Sequence, residues 1–160
     1  MSLDDFLKDD NEPVSVTETQ RDRAAMSAHK RRKEFKNQLQ ECDEINAVMN
    51  GPKRNVYTAR TESGDVLVWM HYSKAFNFWG GAVQKNDELH TRGPALIHAF
   101  LGAKPDEYYV VPDKELHTGD FYMPVQDKNG SEHWRLAGKG DGGRNRELLD
   151  ANYTTLCVNC

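Results

Sequence analysis

A run of basic residues, His-Lys-Arg-Arg-Lys at positions 29–33, has the residue types that bind phosphate. Several cations on an exposed helix face favour a nucleic-acid backbone, because each contact releases condensed counterions. Acidic residues follow on the same segment, including Glu34 and Glu41, so a solvated and internally balanced helix surface is the alternative interpretation. The run supplies four candidate phosphate contacts: Lys30, Arg31, Arg32 and Lys33.

A glycine-rich segment at 138–143, GKGDGG, lies between a predicted strand and a predicted helix. Glycines let backbone amides approach an anion at a helix N-terminus, and the G-x-G-x-x-G spacing suits phosphate. A dinucleotide site is excluded, because the short chain that follows cannot complete a βαβ unit. A plain loop is the alternative, and the candidate phosphate contacts are Lys139, Arg144 and Arg146.

Cys157 and Cys160 have the two-residue gap of half a zinc site. A closed structural site needs four ligands, and the chain has no second close pair of cysteines or histidines. His117, His133 or a second subunit could complete the site. Zinc at the cysteine pair is therefore an alternative to the leading prediction, which is that the protein needs no cofactor.

Three further histidines, His71, His90 and His98, lie in or beside apolar segments. A hydrogen-bonded core or surface histidine is commoner in that setting than a metal ligand. The chain also has no G-x-S-x-G nucleophile elbow and no H-E-x-x-H helix. These patterns therefore predict no catalytic residue.

Three segments resemble parts of restriction-endonuclease-like proteins of the PD-(D/E)XK type: FNFWGG at 76–81, ALIHAFLG at 95–102 and EYYVVPDKEL at 107–116. In that family a metal-binding Asp is followed, on the next strand, by Glu or Gln, one further residue and Lys. Here Pro112-Asp113 and Gln126-Asp127-Lys128 match that order. The resemblance implies a magnesium-dependent nuclease, or an inactive relative, whose candidate catalytic residues are Asp113, Gln126, Lys128 and Asp120.

The chain of 160 residues fits one compact domain with a short appendage. Its net charge of −4 creates no global basic field, so any nucleic-acid site must be local. Only three cysteines are present, which favours a reducing compartment. The N-terminus lacks the basic start and apolar run of a signal peptide, and no apolar stretch is long enough to span a bilayer. We therefore expect a cytoplasmic protein without a membrane partner.

The N-terminal part of the chain predicts a mobile acidic tail over 1–16 and one long helix over 17–50. Thr-Glu-Thr-Gln at 17–20 has the spacing of a capping box, and Asn-Gly-Pro at 50–52 ends a helix. An apolar stripe on the C-terminal half of this helix predicts docking there. The stripe also makes a coiled-coil homodimer an alternative. The stripe consists of Ala28, Phe35, Cys42 and Met49, which recur every seven residues, with Leu39 and Ile45 close by.

Beyond residue 52 the pattern becomes strand-like. Five aromatic side chains in the segment 65–84 predict the central layer of the core, and Ser63-Gly64 predicts a hairpin turn. The strand over 65–72 has apolar residues on both faces, as a central strand does. Further strands are expected at 55–62, 76–83, 94–101, 107–111, 121–125 and 132–137, with a helical turn opening at Pro112, a helix at 145–151 and a last strand at 154–158. For 94–101 a short helix is the alternative, because periodicity does not distinguish the two.

The sequence thus predicts an α+β fold, in which a long N-terminal helix packs on one mostly antiparallel, aromatic-rich sheet of about five or six strands. Residues 51–160 form the single α+β domain. The leading functional hypothesis is a small intracellular, non-enzymatic protein that binds DNA or RNA through the basic helix and the glycine-rich loop. The alternatives are the metal-dependent nuclease and a protein–protein adaptor that dimerises through the N-terminal helix.

Overall fold

The computed structural model describes residues 26–85, 87–91, 95–118, 122–126, 132–136 and 144–156. The predicted acidic tail, the capping box at 17–20 and the glycine-rich segment at 138–143 lie outside these ranges. Within the described ranges, no helix has both the length and the apolar character that crossing a bilayer requires.

The first described helix, α1 (Ala28–Gln40), begins at Ser27, whose hydroxyl accepts a hydrogen bond from the Lys30 amide at 3.2 Å. The prediction of one continuous helix over 17–50 is wrong. The backbone of Ser27 is extended, and the chain forms strand β1 (Ala47–Asn50) where the helix was expected to end. The Asn-Gly-Pro breaker is a real turn, but it joins β1 to the next strand of a hairpin.

The larger sheet has five strands, in the order β1, β2 (Val56–Thr61), β3 (Gly64–Tyr72), β5 (Ala95–Leu101) and β6 (Tyr108–Pro112). β3 is the middle strand, as its two-sided apolar pattern predicted. It pairs with β5 in parallel, whereas the other neighbours are antiparallel. Gly64 begins β3 with φ of 125°, a conformation that favours glycine at this tight turn. The strand predicted at 94–101 is confirmed over Ala95–Leu101, the part that the structure describes.

A second, three-stranded sheet has the order β4 (Phe78–Gln84), β8 (Glu132–Leu136) and β7 (Tyr122–Gln126). The prediction of a single sheet is therefore wrong. The register of β4 against β8 shifts between Phe78 and Val83, a stretch that contains Gly80 and Gly81, and glycine within a strand often accompanies such a bulge. Pro124 lies on β7 at the edge of this sheet, where a residue that cannot donate to a ladder is tolerated.

Each face of the larger sheet has its own core. Val66, Val68 and Met70 of β3 belong to the core that includes Phe35 and Leu39 of α1. On the other face, Leu67 and Trp69 belong to the core that reaches the three-stranded sheet and α3 (Arg144–Asn152). The predicted alternation along β3 is confirmed, and the layers are helix, larger sheet and smaller sheet. Residues 154–156 form no strand, so the described part of the predicted last strand is not seen.

The apolar stripe of α1 docks as predicted, because the side chains of Phe35 and Leu39 are fully buried. This burial is against the chain's own sheet. The two residues therefore have no exposed surface for a second helix, and a coiled-coil dimer through them would require α1 to undock.

Candidate metal centre

Asp113 is the first residue of the short helix α2 (Asp113–Leu116), directly after β6. Side chains alternate along a strand, so Asp113 follows Tyr109 and Val111 onto the face between the two sheets. Pro112 precedes the helix in an extended conformation, which is the role predicted for it. The carboxylate is buried, and the rings of three histidines surround it.

His98 comes from the middle of β5 and has no exposed surface. Its Nε2 lies 2.7 Å from Asp113 Oδ1. The parallel register places His98 opposite Trp69 on β3, and the His71 Nε2 atom lies 2.9 Å from His98 Nδ1. Both ring nitrogens of His98 are therefore engaged.

His90 is carried by a 3₁₀ turn, Glu88–Thr91, whose start is stabilised by a hydrogen bond from the Leu89 amide to the Asp87 carboxylate at 2.9 Å. The His90 Nδ1 atom lies 2.7 Å from Asp113 Oδ1, and its Nε2 lies 2.9 Å from the Gln84 carbonyl oxygen. A carbonyl oxygen and an ionised carboxylate both act only as hydrogen-bond acceptors. In this conformation His90 therefore donates from both nitrogens and is the imidazolium.

His117 lies one helical turn beyond Asp113, and its Nε2 is 3.2 Å from the second carboxylate oxygen, Oδ2. Its side chain is 49 % exposed, whereas those of His90 and His98 are 6 % and 0 % exposed. The ring packs edge-on against Trp134 of β8, and the two ring centroids lie 4.8 Å apart. His117 therefore marks the side of the cluster that faces solvent.

Two tryptophans enclose His90. Its ring centroid lies 5.8 Å from that of Trp69 and 5.1 Å from that of Trp134. Each indole also carries a lysine, with Lys53 Nζ 4.7 Å from the Trp69 centroid and Lys85 Nζ 5.7 Å from the Trp134 centroid. Lys53 pairs in addition with Asp87. Aromatic rings and two cations thus border the cluster.

The protonation states follow from this packing. Burial alone would raise the pKa of Asp113, but hydrogen bonds from His90 and His98 outweigh it and hold that pKa well below its ordinary value. Burial lowers the pKa of His98 and of His71, so both rings are neutral. For His90 the hydrogen bonds to Asp113 and Gln84 outweigh burial and raise the pKa.

His90 Nδ1, His98 Nε2 and an Asp113 carboxylate oxygen all lie within 4.8 Å of one another. Among the described residues, this is the only group of three such donors. Two imidazole nitrogens and one carboxylate form a ligand set that zinc and other first-row divalent ions use in proteins. The geometry can therefore hold one such ion.

The residues implied by the nuclease resemblance are brought together only in part. Asp113 lies in the cluster, but the side chains around it are histidines. Gln126 is the last residue of the edge strand β7, opposite Glu132, and its side chain is not described. Asp120 and Lys128 lie outside the described residues, as do Cys157 and Cys160.

The structure corrects the prediction that Arg31 contacts phosphate. Its guanidinium is fully buried and donates to the carbonyl oxygens of Gly102 and Pro105 and to the Glu34 carboxylate. Arg31 therefore anchors α1. Lys30 and Lys33 are exposed, Arg32 is half-buried, Arg146 pairs with Asp150 at 3.2 Å, the side chain of Arg144 is not described, and Lys139 lies outside the described residues.

Sequence reasoning missed the histidine cluster, although a signal for it was present. His71, His98 and Asp113 each continue the inward-facing positions of a buried strand, where an ionisable residue needs a polar partner. Nothing in the sequence specified that β3 and β5 are neighbours, because β4 and the 3₁₀ turn separate them along the chain.

Comparison with known proteins found no match to a family model, a curated protein or a solved structure. The protein is therefore described by its own fold and candidate site. It is a three-layer α+β protein with a histidine and aspartate cluster between its sheets.

Proposed function

We propose that this protein binds one divalent transition-metal ion through His90, His98 and Asp113. The observation that carries the proposal is the convergence of these donors, from the 3₁₀ turn, from β5 and from the start of α2, on one buried point. The ion would replace the protons that His90 and His98 direct at the carboxylate.

The donor set favours zinc or a similar ion over magnesium. Magnesium takes oxygen ligands in strict octahedral geometry, whereas two of these three donors are nitrogens. The two nitrogens lie 2.7 Å from Asp113 Oδ1, and tetrahedral zinc ligands are roughly 3.3 Å apart. A ring shift of about half an ångström would open that space.

Both histidines have an outer partner that suits a metal ligand. The Nε2–H of His90 donates to the Gln84 carbonyl oxygen, which leaves Nδ1 to bind the ion. His71 holds Nδ1 of His98, which leaves Nε2 for the ion. Such outer hydrogen bonds fix the ring orientation and the tautomer of metal-binding histidines.

The test is a calorimetric titration of chelator-treated protein with Zn²⁺, supported by metal analysis after dialysis. We expect one ion per chain, and we expect His90→Ala or Asp113→Asn to weaken binding by at least about tenfold. His29→Ala and Asp106→Asn are matched controls, because both residues are exposed and lie away from the cluster. Asp113→Asn changes no side-chain volume, so circular dichroism can verify its folding.

A second zinc site at the cysteine pair is distinguished in the same experiment. The double variant Cys157→Ser/Cys160→Ser should still bind one ion per chain. If that variant loses the ion while His90→Ala keeps it, the metal belongs to the cysteines, and the proposal for the histidine cluster is wrong. Failure of the parent protein to bind Zn²⁺, Co²⁺ or Ni²⁺ would reject it as well.

Nucleic-acid binding through α1 is a second proposal, now supported by Lys30, Arg32 and Lys33. Lys30 and Lys33 are exposed, and the opposite face of the helix is buried. A ligand can therefore reach both ammonium groups from solvent. We expect Lys30→Glu/Lys33→Glu to weaken binding of DNA or RNA at low salt, with Lys114→Glu, an exposed residue of α2, as the control. Incubation of labelled strands with Mg²⁺ or Zn²⁺ tests the nuclease alternative, since cleavage should disappear in Asp113→Asn. Strands left unbound by the parent protein would exclude the proposal.

A further inference from the structure

Resting on the proposed metal site, we infer that the ion keeps one coordination position open toward solvent, and that this position takes a small oxyanion with the chemistry of phosphate. Three steps support the inference: the number of inner donors, the exposure of the cluster on one side, and the charge around it.

The cluster supplies three ligands to the ion. His90, His98 and Asp113 form the close group, and the nitrogens of His117 are not part of it. His117 instead holds the outer oxygen of Asp113, at 3.2 Å. Zinc sites with three protein ligands use the fourth position for water or for an exogenous ligand. His117 therefore lies beside that position rather than in it.

The open position faces solvent because the cluster is exposed unevenly. His98 is covered by β3 and by its own strand, and His90 is covered by the two tryptophans. Of the three histidines that contact Asp113, only His117 has a side chain near half exposure. A ligand can approach from this side without any movement of the two sheets.

Charge favours an anion at this position. Asp113 cancels one of the two charges of the ion, and the histidines that bind it are neutral, so the centre carries a net positive charge. Lys53 and Lys85 add cations on the two indoles that border His90. Asp87 pairs with Lys53, so the net positive charge at the open position is that of the ion and its ligands. A phosphate oxygen would bind the ion while its other oxygens face His117 and the lysines.

The experiment uses the Co²⁺-loaded full-length protein, because Co²⁺ reports its coordination through its visible absorption. We expect inorganic phosphate to change the spectrum saturably and in competition with thiocyanate. Lys53→Gln and Lys85→Gln should each weaken phosphate binding by about fivefold, the size expected for one partly exposed charge. Lys104→Gln, far from the centre in an exposed turn, should have no effect. His117→Asn, which removes a ring beside the open position, should also weaken phosphate binding.

Two results would overturn the inference while leaving the metal site intact. One is a Co²⁺ spectrum that neither phosphate nor thiocyanate alters, which would mean that the coordination sphere is closed. The other is phosphate binding that Lys53→Gln, Lys85→Gln and His117→Asn all leave as tight as in the parent, which would mean that these side chains do not border the anion. Absence of any Co²⁺ spectrum would instead reject the metal site itself, so the two failures are distinguishable.

Discussion

His71 Nε2 and His98 Nδ1 lie 2.9 Å apart, so a single proton joins the two rings. The other nitrogen of His98 faces the Asp113 carboxylate at 2.7 Å and must donate to it. With neutral His98 protonated on Nε2, its Nδ1 accepts, and His71 is the donor. The metal-free network is thus ordered from His71 through His98 to Asp113.

This order predicts the protonation of each ring in the metal-free protein. Near neutral pH, nitrogen-detected histidine spectra should show His98 and His71 as neutral rings protonated on Nε2. His90 should show two protonated nitrogens, because both of its neighbours are acceptors. His29, which is exposed, serves as the reference ring. A neutral His90, or a His98 that titrates with the ordinary value, would contradict this network.

Stability of the metal-free protein should depend on pH in two directions. Burial lowers the pKa of His98 and His71 from 6.5, so their contribution is present above that value and is lost as the pH falls below it. The slope there should be between about 1.4 and 2.7 kcal/mol per pH unit, for one or two protons. The raised pKa of His90 acts oppositely, and its contribution is lost as the pH rises through that pKa.

Maximum stability is therefore expected near the ordinary histidine value of 6.5. Urea unfolding in the presence of chelator, between about pH 5 and pH 8, measures the profile. His90→Gln should remove the loss at high pH and keep the loss at low pH. The lowered pKa of Asp113 adds a further loss only as the pH falls below 3.8. A flat profile from pH 5 to 8 would disprove the assignment of these rings.

Arg31 and Arg32 are neighbours in sequence that should differ sharply in their effect on stability. Arg31→Ala would remove the hydrogen bond to the buried carbonyl oxygen of Gly102 and one of the two donors to the Pro105 carbonyl oxygen, which Gln38 also contacts, at a cost of about 3 kcal/mol or more. Arg32→Ala should cost less than about 0.5 kcal/mol. Arg31→Lys should recover only part of the loss, because an ammonium cannot span the same acceptors. Equal unfolding midpoints for Arg31→Ala and Arg32→Ala would show that the buried contacts do not stabilise the fold.

Local patterns in the sequence predicted most strands, because alternation and turn residues act over a few positions. β3, β5 and the edge strand β7 follow directly from the two-sided pattern, the apolar run and Pro124. The predicted helix extended too far, because the apolar residues at every seventh position continue into β1 by coincidence. Pairing with β2 decides that Ala47–Asn50 is a strand, and this is a tertiary contact.

The candidate site could be predicted only in part. Asp113 was chosen through a family resemblance that implied a carboxylate cluster, and the structure shows it among histidines. His90 reaches Asp113 from a turn 23 positions away in sequence, and its place depends on the second sheet. The burial of Arg31 was also hidden, since the carbonyl oxygens that it contacts are more than 70 residues distant along the chain.

The last prediction locates the metal through backbone hydrogen exchange. Binding at the cluster should slow exchange in the 3₁₀ turn Glu88–Thr91 and in Asp113–Leu116, because the ion ties both segments to β5. α1 packs on the opposite face of the larger sheet, so its exchange should change little. The measurement compares chelator-treated and Zn²⁺-loaded protein, with Asp113→Asn as the control that removes the protection. Protection confined to the C-terminal cysteines, or strongest in α1, would place the ion elsewhere.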